Sequence, residues 1–231
     1  MTLKLVVVSI AGGILCLDRI VLQTMISRPI VAAPLIGLIL GDPYTGLIVG
    51  AFIELLWIDQ LPIGAYIPPN DTVAAILIAA SSIESARLIG GLSPGLIAFA
   101  VLIVIPLGLL ARGMELWIGR GNDKLVEEAL CDAARGDVRS IARRHLSSIL
   151  KTYLLSAAFI LVAMSALIPA ITWIYPRLAP QIVRGFTLLY GFIPLLGAAV
   201  ALNTINIRGI IPIFCAAFLC VTAIIGFIRS S

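Results

Sequence analysis

Apolar runs alternate with short polar breaks along almost the whole chain, and their lengths sort them into two kinds. After residue 151 the runs are long: Thr152–Tyr175, Phe186–Leu202 and Gly209–Ile228. Each is near the ~17–25 apolar residues that cross a hydrocarbon core as a helix. Before residue 112, Leu3–Leu17 and Gly95–Ala111 are also long enough, the first if it continues through Asp18 and Arg19 to about Met25. Between these two the runs are short: Pro29–Gly41, Tyr44–Ile58 and Thr72–Ser81, separated by "GDP" at 41–43 and by the proline-rich loop "DQLPIGAYIPPND" at 59–71. Short apolar segments broken by Gly and Pro are expected of re-entrant or discontinuous helices, whose backbone needs protein or a watery cavity around it.

The pattern predicts an all-α integral membrane protein of seven to nine membrane segments, a polytopic helix bundle with broken or re-entrant helices in its first third. Composition agrees: 61% of the 231 residues are hydrophobic and mean hydropathy is +1.12, above the ~45–50% apolar content of soluble domains. No cleavable leader pattern stands out in the first run. Three regions are expected: an N-terminal membrane region at 1–111, a polar amphipathic insert at 112–151, and C-terminal membrane helices at 152–231.

Charge is unevenly placed. The insert carries eight of the sixteen Lys and Arg residues and six of the twelve acidic ones, and no acidic residue follows Asp137. An excess of Lys and Arg marks a cytoplasmic segment. Its apolar spacing predicts two short amphipathic helices separated at residues 135–137. The basic balance, pI about 9.1, then reflects loops beside anionic lipid rather than nucleic acid. Cys16, Cys131, Cys215 and Cys220 have no metal or redox spacing and are expected to be packing residues.

Candidate chemistry concentrates in the first third. Gly46, Gly50 and Glu54 follow one another at four-residue intervals, which places them on nearly one helix face. Small residues at that spacing admit a close neighbour, so Glu54 is expected to face protein. A charge at bilayer depth costs at least ~2.5–3.5 kcal/mol, and the structural alternative is an ion pair with Arg19, Arg28 or Arg87. In the following loop Asp59, Gln60, Asn70 and Asp71 supply carboxylates and amides that suit the hydroxyls of a sugar, with Trp57 or Tyr66 available to stack on its apolar face. Helix capping is the plainer role for the Asp and Asn residues.

The run Arg28–Asp71, with Arg-Pro, Gly-x-x-x-Gly-Asp, x-x-x-Gly-x-x-x-Gly, Glu-Leu, Ile-Gly-Ala and Pro-Pro-Asn at fixed spacings, resembles the IIC permease subunit of the mannose–fructose–sorbose family of bacterial phosphotransferase systems. The insert, with "RRHLSSIL", also resembles that family, and the last third does so mainly in hydropathy. The resemblance implies a multi-pass sugar permease subunit of the bacterial inner membrane. It further implies a IID membrane partner, soluble IIA and IIB phosphocarriers, an oligomeric assembly and a sugar substrate, with no cofactor or metal and no catalysis by this chain. Glu54 and Asn70 are the sugar-contact candidates it singles out; Asp71 and Asp42 complete the set. The sequence departs from the family frame at Pro62, Asn70, Leu22 and Met25, which points to a different substrate or a partly degenerate site. His145, the single histidine, is expected at a helix surface or subunit contact. Two other classes fit the residues: an ion-coupled transporter using Glu54 and Asp71, and a non-transporting regulatory subunit.

Overall fold

A computed structural model describes residues 2–60 and 66–204, together with positions 212, 215, 216, 219 and 220. Pro62 and most of the expected Gly209–Ile228 span lie outside the described residues. Among the described residues, the α-helices with bounds are, in order, α1 Thr2–Leu17, α2 Pro29–Leu40, α3 Pro43–Leu56, α4 Asp71–Ile89, α5 Pro94–Ala134, α6 Val138–Ile174 and α7 Pro180–Thr204. A π-helical turn, Asp18–Leu22, extends α1. Five of these segments are long and apolar enough to cross a membrane, while α2 and α3 are shorter apolar helices.

α2 and α3 form a tight antiparallel hairpin, and the glycine stripe explains it. A Cβ at Gly46 would overlap the Ala33 carbonyl, and one at Gly50 would overlap the Pro29 carbonyl. Only glycine lets the two backbones approach so closely. Gly41 supplies the turn, with φ of 83°, a left-handed conformation glycine adopts without strain. Asp42 then caps α3, its carboxylate accepting from the Thr45 amide (3.0 Å) and hydroxyl (2.5 Å). At 12 and 14 residues, the two helices are about 18 and 21 Å long, short of a ~30 Å hydrocarbon core.

Two elements differ from the expectation. The short run Thr72–Ser81 is part of the 19-residue helix α4, the most buried of the spans. Its second half, with Ser81, Ser82, Glu84 and Ser85, is buried inside the bundle. Those polar residues lower the hydropathy, but they never meet lipid, so apolar run length understated the helix. The polar insert is likewise not a pair of short helices. Its break falls at residues 135–137 as expected, where Gly136 is left-handed and Asp137 caps α6. The helices on either side, however, run unbroken into the membrane spans. α5 has 41 residues and α6 has 37, or about 60 and 55 Å, so roughly half of each projects beyond the apolar layer as a helical hairpin. Arg144 on α6 ties its two arms together, pairing with Asp132 at 2.6 Å and with Glu128 on α5.

The bundle has two chemically distinct ends. At one, Arg87 pairs with Glu84 and donates to the Leu40 carbonyl at the end of α2, beside the Asp42 cap. At the other lie Arg19, Arg28, Glu54, the start of α4 and the root of the α5–α6 hairpin. Gly50→Leu should destroy the close contact of α2 and α3. Overpacking costs about 1–3 kcal/mol or more, and a domain of this size loses about 2–4 °C in Tm per kcal/mol. Thermal unfolding in detergent should therefore show a clear drop for Gly50→Leu and none for Gly113→Ala, where nothing lies within 4 Å.

Candidate functional site

The charged cavity at the hairpin end grows from three helices. The apolar part of α5 closes near Ala111, and one turn later Glu115 is the first acidic side chain. α4 begins at Asp71. α1 ends in the π-turn that carries Arg19. Arg19 pairs with Asp71 through Nη1 and approaches Glu115 Oε1 at 3.8 Å through Nε. One guanidinium thus serves two carboxylates and joins α1, α4 and α5. Asn70 caps α4, accepting from the Val73 amide at 2.8 Å, and its Nδ2 donates to Glu115 Oε1 at 2.7 Å. Its backbone N–H donates to the Gly108 carbonyl at 3.0 Å, so both polar ends of the buried Asn70 side chain and its backbone donor have partners.

The second charged pair lies on the hairpin of α2 and α3. Glu54 Oε1 meets Arg28 Nη2 at 2.5 Å, and Oε2 accepts from the Ile30 amide at 3.3 Å. Arg28 precedes α2 and provides no side-chain cap. The carboxylate from α3 therefore fills that role, where the exposed amides and the helix dipole favour negative charge. Glu54 continues the glycine stripe and faces α2, as its spacing predicts, and its cation is Arg28.

Arg19, Ser27, Arg28, Gln60, Asp71 and Glu115 line a cavity of about 360 Å³, with Ile67 and Pro68 on its apolar side. Of the sequence candidates, Asp71 and Gln60 lie directly on this wall. Glu54 and Asn70 stand behind it, each holding a charged lining residue, Arg28 and Glu115 respectively. Asp42 is not brought to this end: twelve residues separate it from Glu54 along α3, about 18 Å. Gln60 accepts from the Tyr66 hydroxyl at 2.5 Å, and the Arg112 guanidinium lies 5.4 Å from the centre of the Tyr66 ring. Trp57 packs toward Gly108 of α5. The two aromatics thus support the cavity's surroundings rather than its wall.

Asp18 is the residue the sequence reading weighed least. It is fully buried and accepts four hydrogen bonds: from the Thr24 amide (2.8 Å) and hydroxyl (2.5 Å), and from the Ser27 amide (3.1 Å) and hydroxyl (3.0 Å). Those bonds hold a loop in which Gln23 and Met25 are left-handed, with φ of 53° and 66°, a conformation that is uncommon for residues other than glycine. Strain of this kind persists where its surroundings over-determine it. The Ser27 carbonyl in turn accepts from Thr72 Oγ1 at 2.7 Å, which fastens the loop to the start of α4. At two positions of family departure, Leu22 and Met25, the side chains are exposed; the carboxylate that organises this loop is one turn earlier, at Asp18. The clue to Glu115 and Arg19 was equally local: both are charges at the ends of apolar spans that the fold brings to one level.

Comparison with known proteins agrees with this architecture. The sequence matches the family described as the PTS system sorbose-specific IIC component over residues 2–227. It is 26% identical over 222 residues to a PTS system sorbose-specific EIIC component of Lacticaseibacillus casei, covering 94% of this chain and 76% of that protein. It is 24% identical over 218 residues to the PTS system mannose-specific EIIC component of Escherichia coli strain K12, covering 94% and 79%. A solved structure of the mannose transporter ManYZ in complex with microcin E492 shares the fold, with a TM-score of 0.65 at 22% identity over 100% of this chain and 94% of that one. The chain therefore belongs to the sorbose-specific IIC family of the phosphotransferase systems, the multi-pass IIC permease subunits of the mannose–fructose–sorbose group in the bacterial plasma membrane.

Proposed function

We propose that this chain, together with a IID membrane subunit, forms the path of a hexose-type sugar in a phosphoenolpyruvate-dependent phosphotransferase system, and that the sugar binds in the cavity between Arg19, Arg28, Gln60, Asp71 and Glu115. Soluble IIA and IIB proteins supply the phosphoryl group, and this chain transfers none itself. The observation that carries the reading is the cavity's composition. Carboxylates, guanidiniums and an amide converge on one space of about 360 Å³, within the ~300–1,000 Å³ of small-molecule sites. Sugar hydroxyls both donate and accept. Asp71 and Glu115 accept from them, Arg19 and Arg28 donate to them, and no member has to react.

Roles follow from position. Asp71 contacts sugar. Glu54 and Asn70 are positioning residues that act through Arg28 and Glu115. Asp42 is assigned to capping α3 at the far end. Orientation follows from charge: the eight basic residues of the α5–α6 hairpin plus Arg19 and Arg28 put ten of the sixteen at the cavity end. By the positive-inside rule that end is cytoplasmic, so the cavity opens to the side where phosphorylation takes place.

Asp71→Asn tests the contact. A hydrogen bond to a charged group contributes about 1.5–3 kcal/mol, or about ten- to a hundred-fold in affinity. Titration of sugar into the purified membrane complex should show weakening of that size, and unchanged binding would remove Asp71 from the site. Glu54→Gln leaves Arg28 without its carboxylate. Phosphoenolpyruvate-dependent uptake should collapse while the protein still inserts, and wild-type uptake would refute the positioning role. Asp18→Ala removes four acceptor contacts worth about 0.5–1.5 kcal/mol each. It should lower both Tm and sugar affinity, because the loop carrying Ser27 and Arg28 loses its anchor; a lower Tm with unchanged affinity would make Asp18 structural only.

A further inference from the structure

Glu115 does not close the charged cavity; it separates it from another. A second space of about 310 Å³ lies between the π-turn and the roots of α5 and α6, and Ile20 and Glu115 line both. Its floor is buried, with Ile118 and Thr152. Its rim carries Asn122, His145 and Ser148. A third space of about 390 Å³, more apolar, continues from those same three residues between the arms of the hairpin. The three spaces form one series, from the charged cavity at the end of the apolar layer out along the hairpin.

One atom in the series lacks a partner. Asn122 Oδ1 is shielded from solvent and makes no hydrogen bond. Buried acceptors of this kind are rare in folded proteins and call for an explanation. Glu115 presents a related opportunity: its contacts with Asn70 and Arg19 both use Oε1, which leaves Oε2 available among the described residues. An amide oxygen, an imidazole and a hydroxyl around an apolar floor suit an uncharged polyhydroxyl compound. Unlike the first cavity, this rim holds no guanidinium–carboxylate pair, so it would bind the same molecule more weakly.

We propose that the second cavity is a transit site for the sugar between the charged cavity and the hairpin side, with Asn122, His145 and Ser148 as its hydrogen-bonding wall and Glu115 as the residue shared by both sites. This assignment rests on the reading that the first cavity takes a sugar. It gives a role to His145, which has none in the first cavity, and a turn of the Asn122 amide toward the cavity would give its unmet acceptor a partner.

The test uses the intact membrane complex with its four native cysteines replaced by serine, and the sugar that this complex takes up from a panel of hexoses. Gln60→Cys reports on the first cavity and Asn122→Cys on the second, each through its rate of modification by a small charged methanethiosulfonate. Sugar should slow modification at both positions. Modification of Asn122→Cys that sugar leaves unchanged, with Gln60→Cys protected, overturns the transit site and keeps the first. A thiol at 122 that never reacts overturns it too, because position 122 then does not open onto a space that a solute can enter. Protection at neither position rejects both sites together. A separate measurement uses Asn122→Ala, which should lower maximal uptake about five-fold, the net contribution of one hydrogen bond, with sugar affinity at the first cavity unchanged; wild-type maximal uptake overturns the assignment.

Discussion

Arg19 is held between Asp71 and Glu115, and this shared cation is the constraint on which the functional end of the molecule depends. The three residues come from the turn that ends α1, the first residue of α4 and the middle of α5, which nothing in the local chain brings together. Two carboxylates at the edge of an apolar layer repel each other and lose hydration. Removing one partner leaves the other charge uncompensated, and because this pair is only partly buried the cost falls below the ~3–5 kcal/mol of a fully buried one. The arrangement thus penalises any shift of α1 against α4 and α5 at this level, and it fixes where the cavity wall lies.

The hairpin of α2 and α3 is stabilised by a different logic. Its helices are too short to span, and their close approach leaves no room for side chains at Gly46 and Gly50. The ends of α2 would therefore present unmet amides and carbonyls inside the protein. Glu54 accepts at the first end and Arg87 donates at the second, each from a neighbouring helix and each with an ionic partner. A charge that would be prohibitive on a lipid-facing helix becomes favourable where a helix terminus needs it. Glu54 is thus at once part of the hairpin's closure and the support for Arg28 on the cavity wall.

Most of this architecture was legible in the chain because its causes are periodic or compositional. The glycine stripe places Glu54 against a neighbour, the Gly-Asp-Pro break separates α2 from α3, and Arg-Gly-Asp separates α5 from α6. What was not legible has a common cause: hydropathy measures what a residue prefers, not what it faces. α4 read as a short run because Ser81, Ser82 and Glu84 are polar, yet all three are buried in protein. The insert read as a separate piece because its surface is polar, although the helices continue through it. The pairing of Asp71 and Glu115 through Arg19 depends on where three helices distant in sequence meet, and Asp18 depends on a loop geometry that no spacing encodes. Asp42 shares the sequence neighbourhood of the site but sits at the opposite end, because a helix of fourteen residues carries its two ends far apart.

The proposed sugar site would have to release its ligand as well as bind it, and the pairing within the cavity bears on that requirement. Before a ligand enters, Asp71 has Arg19, Glu115 has Asn70, and Arg28 has Glu54, so no charge waits unsatisfied. In the proposed site, a sugar that inserted its hydroxyls would exchange existing hydrogen bonds for new ones, and its affinity would be the difference between two satisfied states. Such a difference is small compared with the energy of capturing a lone buried carboxylate. It can also change sign with small displacements of the helix ends that carry the charges, since a ligand shifts a conformational equilibrium only by its differential affinity for the two states. Three separate helices joined through one guanidinium, rather than one rigid element, supply a geometry in which a small relative movement alters every contact at once.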